Sequence, residues 1–419
     1  MTDGGAAATS APALARFFRG RAALWVAFVL VHAGLAWLNL TAQGQPLGDV
    51  TGVYLRWAEN AVHGWVRVGI DMPWVYPILA FAPMTAALAF GSAWYAEAWL
   101  LMAALLNAVA FSILLGSARL SRTRRLAAWW WLLFLALLGP IALGRIDAIT
   151  VPFAMVGLLM AAGRPRVASV LLTIGAWVKV WPAALLAAVV IAAPRRREVL
   201  SIAIALSVGI LGVSLFAGAG LNVFGFIEEQ AGRGLQIEAP LAVGWLWQIV
   251  AGSEVVRIVY SREILTFQIE GPGADAGAAL TTPVMAVGVL VVVLLGVRAV
   301  RRGAAFGRVL PPLALTFLVV LMLANKVGSP QFVAWLAAPV VLGLVYRPAR
   351  FAVPAMLAAA IALFTHVIYP YWYGWLLVAD PAIVFLLTVK AVLLNVLLVW
   401  GVRALWQAGT RREPASPTT

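Results

Sequence analysis

The chain has 419 residues, 63% of them hydrophobic and only 11% charged, with a mean hydropathy of +0.97 and a formal net charge of +14. A soluble domain carries about a quarter charged residues, so this composition excludes a soluble enzyme and indicates a polytopic membrane protein. There is no cysteine, so neither a disulfide framework nor a thiolate metal site is available.

Residues 1–12 read as disordered, and 22–40 as a first span long enough for a bilayer. No small-residue cleavage site follows that span, so no cleavable signal peptide is expected. The next stretch, LGDVTGVYLRWAENAVHGW at 47–65, places Val53, Tyr54, Trp57, Ala58, Ala61, Val62 and Trp65 on one helical face. Arg56, Glu59, Asn60 and His63 take the other face, the pattern of a helix lying on a membrane surface. Asp49 stands at its head, either as an N-cap or as a functional acid. Residues 74–91 are apolar but interrupted by Pro77 and Pro83, and read as juxtamembrane or re-entrant.

Further spans are expected at 93–116, 126–142, 147–162, 167–180, 182–193, 198–217, 282–298, 309–324, 331–346, 351–369 and 380–402. The expected fold is therefore all-α, with about 12 transmembrane helices. Residues 167–193 are either a hairpin of half-length helices joined at Lys179-Val180-Trp181-Pro182 or one long kinked helix. Only the hairpin leaves the arginine clusters at 119–125, 164–166, 195–197, 298–308 and 347–350 on one side, together with both termini. By the positive-inside rule that side is the cytoplasm. The net charge thus faces anionic lipid, which argues against a nucleic-acid partner. Most acids lie on the other side, where the loops 41–92 and 218–281 are long enough to build a site. A single domain is expected over 1–406, with a disordered cytoplasmic tail at 407–419.

The outer ends of separate spans are unusually polar. They carry Asp49, Arg145, Asp147, Lys179, Arg233, Gln236, Glu238, Lys326, Gln331 and His366. Lysine occurs only at 179, 326 and 390, and two of the three fall at the outer boundary. A charge at bilayer depth costs at least about 2.5–3.5 kcal/mol and usually has a partner or a task. Lys179 and Lys326 suit a phosphate at headgroup level, or simply snorkel to lipid. Arg145 and Asp147 are candidates for pairing with each other, His366 for a core histidine, and Lys390 for an ion pair inside the bundle. No metal-ligand spacing, phosphate-binding glycine loop or DxD motif is present, so neither a metal nor a cofactor is expected.

The ordered pieces GDVTGVYLRWAE, VYP (75–77), GRID (144–147), WVKVWP (177–182), RGLQIE (233–238), SPQFVAW (329–335) and HVIYPYWY (366–373) span almost the whole chain. In this order they resemble the GT-C membrane glycosyltransferases, and more narrowly glycosyltransferase family 87, the actinobacterial polyprenyl-phosphate-mannose-dependent mannosyltransferases. The resemblance implies that Asp49 is the catalytic base and that Lys179 and Lys326 approach the donor phosphate. Arg145 and Arg233 are candidate further phosphate ligands. Tyr54, Trp57, Tyr76, Asp147, Gln236, Glu238, Gln331 and His366 are expected near substrate. Two departures stand out. Gln331 and Phe332 replace a histidine found in some relatives, and Gly144-Arg145-Ile146-Asp147 replaces a Gly-Gln-x-Asn sequence.

The chemistry expected of such an enzyme is direct displacement. A carboxylate takes the acceptor hydroxyl's proton, and fixed cations take up charge on the departing polyprenyl phosphate. One base with one displacement predicts inversion at the sugar carbon. The expected partners are a polyprenyl-phosphate sugar, a glycolipid or glycan acceptor, and membrane lipids, at the outer face of the plasma membrane. An arabinofuranosyl- or other hexosyltransferase, a lipid-linked sugar flippase and a non-catalytic membrane subunit are the rival readings.

Overall fold

A computed structural model describes residues 20–410. The expected disorder at 1–12 and the tail from 411 onward lie outside the described residues, and the last helix extends past the expected boundary at 406 to Ala408. The helices are α1 (Arg21–Thr41), α2 (Leu55–Val62), α3 (Phe81–Ala86), α4 (Tyr95–Leu115), α5 (Arg122–Leu138) and α6 (Asp147–Met160). After these come α7 (Pro165–Val178), α8 (Pro182–Ala192), α9 (Arg196–Phe216), α10 (Gly225–Ala231), α11 (Val243–Val250) and α12 (Ala274–Arg301). The chain finishes with α13 (Phe306–Leu323), α14 (Ala337–Tyr346), α15 (Pro348–His366), α16 (Tyr373–Leu377) and α17 (Pro381–Ala408).

Among the described residues eight helices, α1, α4, α5, α9, α12, α13, α15 and α17, are long and apolar enough to cross a membrane. The chain is an all-α, multi-pass membrane protein. The other four expected spans are shorter apolar helices at Asp147–Met160, Pro165–Val178, Pro182–Ala192 and Pro330–Tyr346. Both α6 and α14 are buried along nearly their whole length, which explains why they are apolar all round.

Residues 165–192 form the hairpin. The helix ends at Val178, Lys179 is extended (φ −154°, ψ 136°), and Pro182 starts the return. Gly175 lies where an added Cβ would come within 3.3 Å of the Pro182 side chain, so the two arms pack closely at the tip. Residues 78–90 are a chain of short helical turns, as the prolines indicate.

Three local features differ from expectation. Gly48 already has helical angles (φ −53°, ψ −39°) and Asp49–Tyr54 forms a π-helical turn, so Asp49 stands inside the helix and not at a cap. The far end of the apolar stripe, Val62 and Trp65, is exposed. The outer loop 218–281 is substantially ordered. It holds α10, α11, an early start of α12, and an antiparallel hairpin of β1 (Arg257–Ser261) and β2 (Thr266–Glu270), with Arg257 opposite Glu270. Alternation in TFQIE puts Phe267 and the buried Ile269 on one face, a period-2 pattern inside an otherwise helical chain.

Arginines of the basic clusters bond to carbonyls at or near the ends of neighbouring helices. Arg21 donates to the Ala118 carbonyl, Arg124 to the Leu114 carbonyl at 2.7 Å, and Arg298 to the Trp406 carbonyl at 3.1 Å. The ordered outer loop threads under the segment after α13. The Gln236 N–H donates to the Lys326 carbonyl at 2.9 Å, and a Cβ at Gly328 would overlap the backbone of Glu238 and Ala239. Backbone cannot yield as a side chain can. Gly328→Ala is therefore expected to cost about 1–3 kcal/mol, read as a lowered melting temperature in detergent. An unchanged melting temperature would mean that the two segments separate freely.

Candidate functional site

The first component is an arginine clamp on Asp49. Arg145 is buried, yet all three of its guanidinium nitrogens are engaged. Nε lies 2.9 Å from Asp49 Oδ2, one terminal nitrogen donates to the Pro46 and Gly144 carbonyls, and the other donates to the Tyr369 hydroxyl at 2.8 Å. The Asp49 carboxylate keeps 45% of its side-chain surface exposed. Arg145 thus pairs with Asp49, not with Asp147, through Nε alone, while its terminal nitrogens tie the guanidinium to Pro46, Gly144 and Tyr369.

The second component is built on the hairpin tip. Asp147, in the first turn of α6, is 1% exposed. It accepts from Lys179 Nζ at 2.6 Å and from Trp335 Nε1 at 2.6 Å. Trp181 stacks on Trp335 with ring centroids 5.2 Å apart, and its own N–H donates to the Thr150 hydroxyl at 3.0 Å. A buried carboxylate requires such partners. Lys179 is therefore held by protein, not snorkelled to lipid. Its ammonium also lies 5.2 Å from the Phe332 ring and 5.8 Å from the Tyr76 ring.

These groups border a cavity of about 490 Å³. Tyr76, Lys179, Arg233, Lys326 and Gln331 line it on one side, and Ile227, Met285 and Leu321 form part of an apolar wall. Three cations and no carboxylate appear in that lining. Burial pushes the Lys326 ammonium below the ordinary lysine value, and the Arg233 charge pushes it further. Burial likewise lowers Arg233. Crowded cations of this kind favour an anionic ligand.

Tyr76 links the two components. It lines the cavity, and its hydroxyl lies 3.2 Å from that of Tyr54. Burial pushes the Tyr76 phenol upward and the nearby Asp49 carboxylate adds to this, so the phenol stays protonated.

The remaining sequence candidates sit elsewhere. Arg145, expected as a phosphate ligand, does not line the cavity, and neither does His366, which packs against the Gly139 turn. Tyr54 is buried at 1% exposure, and Trp57 joins Trp74 and Tyr76 in an edge-on aromatic cluster beneath α2. Gln236 and Glu238 are buried under the loop. Glu238 Oε2 lies 3.6 Å from Lys390 Nζ, an ion pair too long for a hydrogen bond, with 4% and 8% of the two side chains exposed. Burial pushes the Glu238 carboxyl upward, and the Lys390 charge opposes it.

Sequence reading missed Trp335 and Tyr369 as the partners of Asp147 and Arg145. Trp335 lies in the same 3-10 helix, Pro330–Leu336, as the candidate Gln331, and both line the cavity; nothing local marks Tyr369. Among the described residues no group of three His, Cys, Asp or Glu side chains is placed to share a metal ion. Comparison with family models finds no match to this chain, and comparisons with curated proteins and with solved structures find none either.

Proposed function

We propose that this chain is a polyprenyl-phosphate-sugar-dependent glycosyltransferase of GT-C type, similar to glycosyltransferase family 87, with mannose as the transferred sugar. In this reading the eight long helices span and the four shorter ones reach only part of the way, the arginine end is cytoplasmic with both termini, and the site opens to the outer face of the plasma membrane. The observation that carries it is the accessibility of the acids. Of the three candidate bases, Asp147 and Glu238 keep 1% and 4% of their side-chain surface, whereas Asp49 keeps 45%. A carboxylate that must reach an acceptor hydroxyl has to be accessible.

The three-cation cavity supports the same reading. A departing polyprenyl phosphate gains negative charge in the transition state, and preorganised cations stabilise it there. Lys179 is positioned by Asp147, while Arg233 and Lys326 complete the ring. The apolar wall suits a prenyl chain. A flippase needs a polar path through the bundle, yet Lys390 pairs with a loop residue and the helices α13 and α14 beneath are buried and apolar.

The test is sugar transfer by the purified protein from polyprenyl-phosphate mannose, arabinose or glucose into a membrane lipid extract. Mannose transfer is the expected result. Transfer from another donor alone would change the sugar, and inactivity with all three would overturn the transferase reading.

Lys326 supplies a pH signature. Its ammonium is lost as pH rises through a value below the ordinary lysine range, so donor KM is expected to rise as pH climbs towards that range. Lys326→Arg, which stays charged, should flatten that rise. Identical profiles would remove Lys326 from donor binding.

A further inference from the structure

The turn between α15 and α16 places beside Asp49 a residue to which the proposed reaction gives no role. Tyr369 breaks the helical run with extended angles (φ −122°, ψ 127°) and is half-buried. The loop before Asp49 packs directly on this turn, since a Cβ at Gly44 would come within 2.7 Å of the Pro370 carbonyl oxygen. The two side chains end on one guanidinium. Asp49 Oδ2 lies 2.9 Å from Arg145 Nε, and the Tyr369 hydroxyl accepts from Arg145 Nη2 at 2.8 Å. Nε and Nη2 form one edge of the planar fork, an edge that a single carboxylate commonly occupies with both oxygens. Here a carboxylate oxygen and a phenol oxygen share it.

Arg145 Nη1 is satisfied by the Pro46 and Gly144 carbonyls, which can only accept. A hydroxyl accepts and also donates. Tyr369 accepts from a cation, which strengthens it as a donor, and its own proton is directed away from the guanidinium. It does not line the three-cation cavity, so it is not a ligand of the donor phosphate there. Asp49 and Tyr369 together offer one proton-accepting and one proton-donating oxygen at about the spacing of two carboxylate oxygens. That arrangement matches two adjacent hydroxyls of one polyol. We propose that Tyr369 binds the acceptor molecule: its hydroxyl donates to the hydroxyl next to the one that Asp49 deprotonates, so the preferred acceptor carries a vicinal diol, as a sugar or cyclitol ring does. The inference rests on the transferase reading above. In that transfer the attacked hydroxyl's oxygen bonds to the sugar carbon, its proton passes to Asp49, and the phosphate leaves with the electron pair of the broken bond.

The experiment is transfer by the full-length protein in detergent from polyprenyl-phosphate mannose to octyl α-mannoside and each of its monodeoxy analogues, with free mannose from donor hydrolysis measured alongside. Product linkage identifies the attacked hydroxyl. With wild type, an analogue lacking a neighbour of that hydroxyl should lose about tenfold in kcat/KM, the worth of one hydrogen bond. With Tyr369→Phe, the same analogue and the parent should agree within about twofold, and acceptor KM should rise while donor KM holds. Tyr373→Phe, which alters the neighbouring ring 5.6 Å away, should keep the wild-type discrimination. An equal fall on every acceptor in Tyr369→Phe would make Tyr369 only a tether for Arg145 and overturn the inference, as would discrimination that survives in that variant. Donor hydrolysis without transfer to any of these glycosides would overturn the inference and leave the transferase reading standing. Neither transfer nor hydrolysis by wild type would sink both. If Tyr369→Phe does not fold, Tyr369→His, whose shorter ring cannot bring a donor to the same point, replaces it with the same expected loss of discrimination.

Discussion

Replacing Asp49 by Asn is expected to lower sugar transfer by about 10²–10⁴-fold, the usual contribution of a general base. The substitution is nearly isosteric. The amide oxygen can keep its place beside Arg145 Nε, 2.9 Å from it in the ion pair, and Arg145 keeps its bonds to Pro46, Gly144 and Tyr369. Neutralising Asp49 leaves the buried Arg145 charge without its carboxylate, so a lower melting temperature is expected as well, and the loss of transfer in protein that is still folded should appear in kcat. The measurement is single-turnover transfer of radiolabelled sugar, with donor retention assayed in parallel. Transfer at the wild-type rate would show that Asp49 only anchors the loop to Arg145. Neither buried acid is an obvious substitute, since Asp147 already accepts from Lys179 and Trp335.

Lys390→Met is expected to be the most destabilising single change in the bundle. It strands the Glu238 carboxylate in a nearly solvent-free site, a loss of about 3–5 kcal/mol for one partner of a buried pair. Adding Glu238→Gln should restore most of that loss, because the remaining amide carries no charge. Thermal unfolding in one detergent, for wild type, both single variants and the double variant, gives the coupling energy directly. Equal melting temperatures for Lys390→Met and the double variant would mean that the 3.6 Å pair carries no coupling.

The sequence made the large features legible because they are written in single-residue chemistry. Apolar runs locate the helices. The break at Lys179-Val180-Trp181-Pro182 follows from proline, and charge bookkeeping chose the hairpin that is observed. Of the polar residues at the helix ends, Lys179, Arg233, Lys326 and Gln331 line one cavity, whereas Asp49, Arg145, Asp147, Gln236, Glu238 and His366 do not. What was illegible is pairing across the bundle. Asp147 lies two residues from Arg145, yet Arg145 turns to Asp49 and Asp147 to Lys179, because the first turn of α6 faces the hairpin tip. The aromatic partners Trp335, which donates to Asp147, and Tyr369, which accepts from Arg145, were two among 19 tryptophans and 8 tyrosines. The hairpin at 257–270 was overlooked because five-residue strands are easily submerged in so apolar a background.

The half-length helices set the depth at which chemistry takes place. Helix α6 and the first arm of the hairpin each have 14 residues, about 21 Å at 1.5 Å per residue. The hydrocarbon layer is about 30 Å thick. In the proposed orientation, with the arginine end at the cytoplasmic headgroups, Asp147 and Lys179 would lie about 9 Å short of the opposite headgroups. The floor of the cavity would then be a notch sunk into the outer leaflet, below the plane where lipid phosphates normally rest. A donor phosphate reaching Lys179 would leave its hydrated layer and descend, drawing its tail sideways between the helices and leaving bulk water behind. Lateral entry from the leaflet, instead of entry from the aqueous side, becomes the natural route for a ligand with a long isoprenoid chain.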